Sequence, residues 1–314
     1  MDQRQHLVLE KFHKNRALIL QEAQKFFVNS NSLTPKIGCE LEFFLLEGEG
    51  GGCVDIELVQ LFISQLAVEI YKKFPLIYVV EKERGEAQIE IKTVFTSDLS
   101  RLCVELEGAK NFIKNFARRK NYHASFKAQP FANDCGNSLQ FNLSLHNDAD
   151  ENVFFLDEKM LQSCANSILA ASDEMMIFLA PNEDDYQRFD FELNRNLFRS
   201  GKFSAPVNLS FGVNNRTCAI RISTAKNDKK QKRLEYRLAP AEAIPELSIA
   251  AILIAISNAE KSDKNEFEQI FGNAFDEQYQ LKNFAKNFAT AQDFFFAEKN
   301  FIRKKMEQLL LNFS

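Results

Sequence analysis

Gly38-Cys39-Glu40-Leu41-Glu42-Phe43-Phe44-Leu45-Leu46 alternates carboxylate and apolar side chains before it ends in an apolar run. In a β strand, residues two positions apart point to the same face. Glu40 and Glu42 therefore share one face of the predicted strand, and the intervening apolar residues share the other. Neighbouring carboxylates in a cleft repel each other unless a cation lies between them. The segment thus predicts both a core strand and a site for positive charge.

Four further segments, 87–93, 139–145, 218–223 and 233–238, alternate in the same way or are rich in β-forming residues. On three of them, polar side chains share one face: Gln88 and Glu90; Gln140, Asn142 and Ser144; Arg233, Glu235 and Arg237. Helical patterns or long loops separate the strands, which predicts an α+β fold with an antiparallel sheet and helices packed on one face. Taken singly, each strand is also compatible with a half-exposed strand whose polar face is solvated.

Apolar residues at helical spacing predict helices over 5–27, 56–74, 99–120, 158–179 and 246–260, and over most of the chain from 266 onward. Ser97 or Asp98, and Asp157, are suitable N-caps for two of them. No linker rich in proline, glycine or serine divides the chain. We therefore expect one domain over residues 1–314, with a motif-bearing core at about 35–260 and a helical C-terminal part at about 261–314.

The composition excludes several classes of function. The chain has 39 Lys and Arg against 43 Asp and Glu, a formal net charge of -4, whereas binders of nucleic acids or anionic membranes need a concentrated basic surface. No apolar run reaches the roughly 18 residues of a transmembrane helix. The six cysteines are scattered without a CxxC pair, which predicts buried thiols in a reducing compartment and hence a cytoplasmic protein.

The residue types on the predicted sheet indicate a particular chemistry. Several carboxylates on one face, joined by arginines from later strands, suit a divalent cation together with a phosphate group. Mg²⁺ and Mn²⁺ prefer hard oxygen ligands, and the planar guanidinium of arginine binds phosphate through two parallel hydrogen bonds. This pattern is typical of a metal–nucleotide site.

Five segments carry a family pattern, namely residues 37–45, 83–90, 136–145, 205–221 and 233–237 with Ala251-Ile252-Leu253 downstream. In this order they resemble the catalytic domain of glutamine synthetases, within the carboxylate–amine ligases that include glutamate–cysteine ligases. The first resembles the strand G-x-E-x-E-F-F-L, and the second has the spacing of E-x-G-x-G-Q-x-E. The third lies where the family has G-S-G-M-H-x-H-x-S-L. The last two resemble A-P-V…W-G-x-x-N-R-T-A-A-I-R and R-I-E-x-R…A-A-I-L.

The resemblance implies a curved antiparallel sheet whose polar face binds ATP and divalent cations, Mg²⁺ or Mn²⁺. By matched position, the implied ligands of a first cation are Glu42, Glu83 and Glu90, and those of a second are Glu40, Gln140 and Glu235. The residues implied for ATP are Asn142, Ser144, Arg216, Arg221 and Arg233. Those implied for the amino-acid substrate are Gly136, Arg188 and Arg237, and those implied in catalysis are Arg216 and Glu83. The implied reaction transfers the γ-phosphoryl group of ATP to a side-chain carboxylate, and an amine then attacks the acyl phosphate.

The chain departs from the family pattern where the acceptor would bind. Gln140 and Asn142 stand where the family has two histidines. The glutamine oxygen is an acceptable ligand for Mg²⁺, so a second cation is either kept at lower affinity or lost. Ser204 stands where the family has its flap glutamate. The match begins at about residue 35, which leaves too little chain for the family's N-terminal β-grasp domain. We therefore expect that domain, the use of ammonia and the usual ring assembly to be absent.

Residues 189–203 form a segment longer than usual for the family and include several charged side chains. We expect this segment either to be a loop in which Arg195 and Arg199 recognise a different acyl or acceptor substrate, or to be a solvated surface loop. The basic run 226–233 is interpreted as a charged hairpin beside the nucleotide. The glycine-rich residues 48–52 are interpreted as a turn.

The sequence therefore predicts an ATP- and Mg²⁺-dependent ligase that joins a glutamate-like carboxylate to an amine other than ammonia. Two alternatives stay open: a catalytically silent homologue that binds a nucleotide or a partner, and glutamine synthetase itself. The expected partners are a small amino acid and an amine, with no nucleic acid and no membrane. A homo-oligomer other than the usual ring is compatible with the sequence.

Overall fold

The central element of the fold is β1 (Thr34–Leu46), which holds Glu40 and Glu42 within a sheet of eight strands in the part of the chain that the structure describes. The computed structural model describes residues 3–202, 205–224, 231–257, 259 and 266–311. The other strands are β2 (Ile77–Lys82), β3 (Gln88–Thr93), β4 (His123–Ser125), β5 (Leu139–His146), β6 (Phe211–Val213), β7 (Ile220–Ser223) and β8 (Arg233–Tyr236).

The register of the sheet brings polar residues from distant parts of the sequence together. The strand order is β2-β3-β1-β5-β8-β7-β6, and β4 also pairs with β1. Glu42 lies opposite Glu90 of β3, and Glu40 lies opposite Gln140 of β5. All paired strands run antiparallel except β6 and β7, which run parallel. The predicted antiparallel sheet is therefore correct apart from this one pair.

The described residues form ten α-helices, and several of them pack against the sheet. They are α1 (Gln3–Lys14), α2 (Arg16–Asn31), α3 (Ile56–Lys73), α4 (Leu99–Arg119), α5 (Val153–Leu156), α6 (Glu158–Leu179), α7 (Phe191–Arg199), α8 (Pro245–Ile256), α9 (Phe288–Phe296) and α10 (Phe301–Leu311), with a 3-10 helix at Glu183–Phe189. Leu41, Phe43 and Ile89 are buried in the core between sheet and helices. The Tyr236 hydroxyl on β8 shares a hydrogen bond of 2.9 Å with the Ser172 hydroxyl on α6. This arrangement confirms the predicted α+β fold class.

Two helix starts follow the predicted caps. The Asp98 carboxylate accepts a hydrogen bond from the Arg101 N–H at the start of α4. The Asp157 carboxylate accepts from the N–H groups of Lys159 and Met160 at the start of α6. Each cap satisfies backbone donors that have no partner inside the helix, so both predicted caps are confirmed.

The helix predicted over 5–27 is wrong in one respect, because it is divided at Asn15 into α1 and α2. The Asn15 side-chain amide donates to the Lys11 carbonyl at 2.8 Å. Such a local bond competes with the regular backbone hydrogen bonds of a helix. The periodicity of the apolar residues continues across the break and therefore conceals it.

The helical tail predicted from residue 266 begins only at Phe288. Residues 266–287 run instead as turns and extended chain along the surface of the core. The Asn166 and Asp173 side chains on α6 accept hydrogen bonds from the N–H groups of Phe267 and Ala285, at 2.8 and 2.9 Å. Tertiary contacts thus satisfy backbone groups that a helix would have satisfied locally.

Residues 189–203, predicted as a loop, contain the helix α7. The Asp190 carboxylate caps it by accepting from the Leu193 N–H at 2.7 Å. The loop prediction is therefore wrong for most of the segment. Ser204 and most of the basic run 226–233 lie outside the described residues.

The glycine-rich residues 48–52 form a turn after β1, as predicted. Gly48 and Gly50 have φ angles of 80° and 76°, in the left-handed region that favours glycine. None of the described helices is long and apolar enough to cross a membrane. The six cysteines are all described, none of them forms a disulfide, and all but Cys53 are buried.

Candidate functional site

A polar cleft with a volume of about 280 Å³ lies over the polar face of the sheet. We call it the sheet cleft. Most of the predicted site residues meet in it. It is lined by Glu40, Glu42, Glu81, Glu83, Arg84, Gln88, Glu90, Lys92, Gly136, Ser138, Gln140, Arg188, Arg216, Arg221, Arg233 and Arg237. Apart from Gly136, every one of these residues has a polar or charged side chain.

Three predicted site residues are not among those that line the sheet cleft. Glu235 is only 1% exposed and is hydrogen-bonded to two arginines of the cleft. Asn142 lines a neighbouring cavity. Ser144 is buried, and its hydroxyl shares a hydrogen bond of 3.2 Å with the His146 ring, so the structure does not bring it to either cavity.

Crowded carboxylates occupy the β1 and β3 side of the sheet cleft. Burial raises the pKa of Glu90, and repulsion from Glu40 and Glu42 raises it further. Burial also raises the pKa of Glu42, with a second contribution from Glu83. Lys92, 2.9 Å from Glu90, compensates only part of this negative charge. A bound cation would relieve the remaining repulsion.

Gln88 links the strands at the base of the sheet cleft, although it is not among the predicted site residues. Its amide nitrogen donates to Glu42 Oε2 (3.3 Å), to the Gly136 carbonyl (3.1 Å) and to Asn137 Oδ1 (3.1 Å). Its oxygen accepts from the Gly85 N–H at 3.0 Å. The sequence pattern places Gln88 on the same strand face as Glu90, and this shared face is the signal that marks it as a cleft residue.

Guanidinium groups occupy the β5 and β8 side of the sheet cleft. Arg237 donates to Gln140 Oε1 (3.1 Å), and Gln140 Nε2 donates to Glu42 Oε1 (3.3 Å). Arg237 and Arg221 each pair with one oxygen of Glu235, at 2.7 and 2.6 Å. Burial alone would raise the pKa of Glu235, but the two arginines outweigh it and hold this pKa below its ordinary value. Glu235, implied as a ligand of a second cation, is therefore already neutralised by the protein.

Arg188, on the 3-10 helix, reaches the sheet cleft from outside the sheet. Its Nη1 donates to the carbonyls of Arg237 (3.4 Å) and Leu238 (3.2 Å), while its buried Nε has no hydrogen-bond partner among the described residues. A Cβ atom at Gly136 would lie 2.8 Å from the Arg188 side chain, so the glycine permits this close approach. Burial lowers the pKa of Arg188 to about 10, which keeps it charged at neutral pH. A buried guanidinium with an unused N–H suits a carboxylate ligand.

A second cavity, of about 330 Å³, adjoins the sheet cleft, and we call it the aromatic cavity. Glu40, Lys92 and Arg233 line both cavities. Tyr78 and Phe95 contribute aromatic rings that are 55% and 41% exposed. The Arg233 guanidinium lies 5.9 Å from the centre of the Phe95 ring. Sequence reasoning missed both aromatic residues, because neither lies on a predicted strand.

The arginines of α7 do not reach the sheet cleft or the aromatic cavity. Arg195 pairs with Glu192 at 2.5 Å and lies over the Phe191 ring. Arg199 is exposed. Among the described residues that line these two cavities, neither arginine occurs, so the location does not support the expected role in substrate recognition.

The buried residue of α7 that does connect to the site is Asn194. Its amide nitrogen donates to the backbone carbonyls of Arg188 (2.8 Å) and Asp190 (2.7 Å). Its side-chain oxygen accepts from the Ala205 N–H at 2.9 Å. Asn194 therefore ties the backbone of the cleft arginine to the start of the Ala205-Pro206 segment.

Five of the six predicted metal ligands line the sheet cleft without closing around a centre, and the sixth, Glu235, is paired with Arg221 and Arg237. Among the described residues, no group of three or more histidine, cysteine, aspartate or glutamate side chains is assembled that could hold a metal ion by itself. Proteins commonly bind Mg²⁺ through one or two carboxylates and leave the remaining positions to waters and substrate phosphates. An open wall of carboxylates beside arginines suits this mode of binding.

Residues 56–312 match the family model described as the glutamine synthetase catalytic domain. The chain is 28% identical over 200 residues to gamma-glutamylputrescine synthetase PuuA of Escherichia coli (62% of this chain and 40% of the relative). It is 28% identical over 242 residues to glutamine synthetase of Thermotoga maritima (71% and 52%). The chain thus spans about half the length of these curated relatives.

Solved structures resemble the whole described architecture. A complex of GmaS with ADP superimposes with a TM-score of 0.79 at 19% identity, covering 95% of this chain and 74% of that one. Glutamine synthetase of Plasmodium falciparum superimposes with a TM-score of 0.70 at 17% identity, covering 95% and 76%. At these identities the likeness establishes the fold alone.

Proposed function

The chain belongs to the family of the glutamine synthetase catalytic domain, and from this premise we propose that it is an ATP-dependent ligase that joins a glutamate-like carboxylate to an amine. The observation that carries the proposal is the sheet cleft, in which buried carboxylates from β1 and β3 face arginines from β8 and neighbouring segments. Carboxylates and arginines in one cleft suit a metal-bound polyphosphate and a carboxylate substrate together. The comparisons favour neither a silent homologue nor glutamine synthetase itself.

We propose that ATP lies across the aromatic cavity and the sheet cleft. Tyr78 and Phe95 offer exposed rings on which an adenine base stacks. Arg233, which lines both cavities, and Arg221 are positioned to receive the phosphates. Asn142 holds Arg233 by accepting from its Nε at 2.8 Å. Asn142 therefore acts on the nucleotide through Arg233, whereas no contact of Ser144 with another described residue supports its predicted role.

The donor set fits a divalent cation at Glu42, Glu83 and Glu90, because these are hard oxygen ligands whose mutual repulsion a cation relieves. A cation bound there would neutralise the charge on the phosphates of ATP during phosphoryl transfer. Glu40, Gln140 and Glu235 fit a second cation less well. Asn142 Nδ2 donates to Glu40 (3.1 Å), and the other two are held by arginines.

Arg188 is proposed to bind a carboxylate of the amino-acid substrate beside Gly136, with Arg237 fixing the adjacent wall. The substrate's side-chain carboxylate then attacks the γ-phosphorus, the bond to the β-phosphate oxygen breaks, and ADP leaves. Arg216 is proposed to neutralise the transferred phosphoryl group, a role that arginines perform in phosphoryl transfer generally. Glu83 is half-buried, unlike Glu42 and Glu90, and is proposed to accept the proton that the attacking amine releases.

Calorimetric titration of Mg²⁺ and ATP tests the nucleotide half, with Glu42→Ala and Arg221→Ala as the two variants. We expect binding in the wild-type protein and its loss in both variants. The reaction itself is tested by incubating the protein with ATP, Mg²⁺, glutamate and hydroxylamine, a small nucleophile that traps an acyl phosphate as a hydroxamate. Formation of ADP and hydroxamate in equal amounts supports the proposal. No binding of Mg²⁺ and ATP to folded protein, or no hydroxamate, contradicts it.

A further inference from the structure

A third cavity, of about 510 Å³, opens beside the sheet cleft, and Arg216 lines both. Its walls come from residues 213–217 at and after the end of β6, from residues 270–273 and from Phe198 on α7. We call it the Phe271 cavity. Because it adjoins the sheet cleft at Arg216, a molecule bound in it lies next to the group proposed to hold the transferred phosphoryl.

Hydrogen bonds join the two walls of the Phe271 cavity. Asn215 Nδ2 donates to the Gly272 carbonyl at 2.6 Å. The Thr217 hydroxyl oxygen accepts from the Ala274 N–H at 2.9 Å. The Ile270 N–H donates to the Phe211 carbonyl at 3.0 Å. The cavity is therefore preformed, as small-molecule sites usually are.

The Phe271 cavity has few charged groups in its walls. Of the described residues that line it, Arg216 alone is charged. The amides of Asn214 and Asn273 are already bonded to Thr224 and Asp276. Asp276, which accepts from Asn273, is not among the lining residues. No described carboxylate lines the cavity to receive a second positive charge.

The apolar part of the Phe271 cavity is unusually accessible. Phe271 is 88% exposed, which makes it the most exposed large apolar side chain in the described part of the chain. Val213, on the opposite wall, is 42% exposed. Covering such side chains removes apolar surface from water, which favours binding of an apolar group.

We propose that the Phe271 cavity binds the body of the amine acceptor, and that this acceptor is a primary monoamine with an uncharged, apolar substituent and not a diamine. The proposal rests on the proposed ligase function and names its acceptor class. The neutral amine nitrogen attacks the acyl carbon, the C–N bond forms, the bond from carbon to the phosphate oxygen breaks, and phosphate leaves with the electron pair. The nitrogen then loses a proton. The second amino group of a diamine would be a positively charged ammonium close to the positively charged Arg216. Among the described residues that line the cavity, no carboxylate would compensate the charge of this ammonium.

The test compares butylamine with 1,4-diaminobutane, which have the same carbon chain and differ by one amino group. With ATP, Mg²⁺ and glutamate, we expect kcat/KM for butylamine to exceed that for the diamine at least about tenfold. Hydroxylamine, which is too small to need the cavity, measures formation of the acyl phosphate separately. Absence of hydroxamate overturns the proposed function and this inference with it. Hydroxamate formation with equal or better use of the diamine overturns the inference alone.

Two variants test whether the amine binds in the Phe271 cavity. Phe271→Ala should lower the ratio of butylamine to hydroxylamine kcat/KM about tenfold, because the butyl chain loses its apolar contact. Phe301→Ala is the matched control, since Phe301 is also exposed (44%) but lies on α10 and outside the cavity. Val213→Asp should raise the ratio of diamine to butylamine use about tenfold by adding a carboxylate. An unchanged ratio in either Phe271→Ala or Val213→Asp contradicts the assignment of this cavity to the acceptor.

Discussion

The polar face of the sheet and the segment from Asp185 to Ala205 both contribute to the site, but they are built in different ways. On the sheet, strand register fixes which side chains meet, so Glu42 lies opposite Glu90 because β1 pairs with β3. In the second region, single buried side chains hold short helices together, as Asn194 does for Arg188 and Ala205. Strand register thus positions the site residues of the sheet, whereas single side-chain hydrogen bonds position those of the second region.

The largest effect is expected on the sheet. Glu42→Gln keeps the shape of the side chain and removes a buried carboxyl group that lies among other carboxylates. We expect turnover to fall at least about 100-fold, because electrostatic contributions at reacting centres are of this size. Steady-state ADP release measures the effect. The control is Glu105→Gln, a buried glutamate outside the sheet cleft that accepts from the Leu76 N–H. Equal losses in both variants would show that burial, and not position on the sheet, matters.

The difference between the regions also explains how much the sequence could predict. Alternation with period two is visible along Glu40-x-Glu42 and Arg233-x-Glu235-x-Arg237, and the fold class and the polar strand face follow from it. Cleft residues outside the alternating strands, such as Glu83, Arg188 and Arg216, were predicted only from the family resemblance. The strands β4 and β6 have only three residues each, too few for an alternating pattern to be recognised. β2 (Ile77–Lys82) is rich in β-branched residues but follows a helix closely and was also missed.

Side-chain orientation was less predictable than position. Gln140 lies in the sheet cleft as expected, but its oxygen accepts from Arg237, which becomes visible only in three dimensions. The helix α7 is not evident from the sequence, because its N-cap residue, Asp190, lies in a charged segment that also suits a loop. Long-range contacts thus determine side-chain partners and short helices that the local sequence pattern does not specify.

A second prediction concerns Asp185, at the start of the second region. Burial raises its pKa to about 7, against an ordinary value of about 3.9. The folded state therefore keeps a proton that the unfolded state releases, so this residue's contribution to stability falls as pH rises from about 4 to 7. Asp185→Asn removes the titration. We expect its free energy of unfolding, relative to wild type, to increase by about 2–4 kcal/mol between pH 4 and pH 8.

Urea unfolding at several pH values measures this difference. Asp184→Asn is the matched control, because Asp184 is the exposed neighbour on the same 3-10 helix. Its stability relative to wild type should stay constant over the same range. A pH-independent difference for Asp185→Asn would mean that the carboxylate is ionised in the folded protein throughout.

A third prediction tests whether the second region positions Arg188. Asn194→Ala removes the side-chain partner of the Arg188 carbonyl and of the Ala205 N–H. The Asp190 carbonyl keeps its bond from the backbone N–H of residue 194. We expect a loss of about 1–3 kcal/mol in stability, the usual cost of unsatisfied buried groups, and a several-fold increase in KM for glutamate with kcat nearly unchanged. Asn115→Ala, on the exposed surface of α4, is the control. A fall in kcat with unchanged KM would separate Asn194 from the binding of the carboxylate.

The smallest effect is expected on the solvent side of α7, for which the sequence left two interpretations open: substrate recognition by Arg195 and Arg199, or a solvated surface loop. Arg195 is engaged by Glu192 and the Phe191 ring, and Arg199 is exposed. Exposed ion pairs typically contribute about 0.2–1 kcal/mol to stability, and neither side chain lines the sheet cleft. The double variant Arg195→Ala, Arg199→Ala should therefore keep KM for glutamate and for the amine within about twofold of wild type. A larger increase in either KM would show that Arg195 or Arg199 takes part in substrate binding. The second region would then recognise the substrate directly, in addition to positioning Arg188.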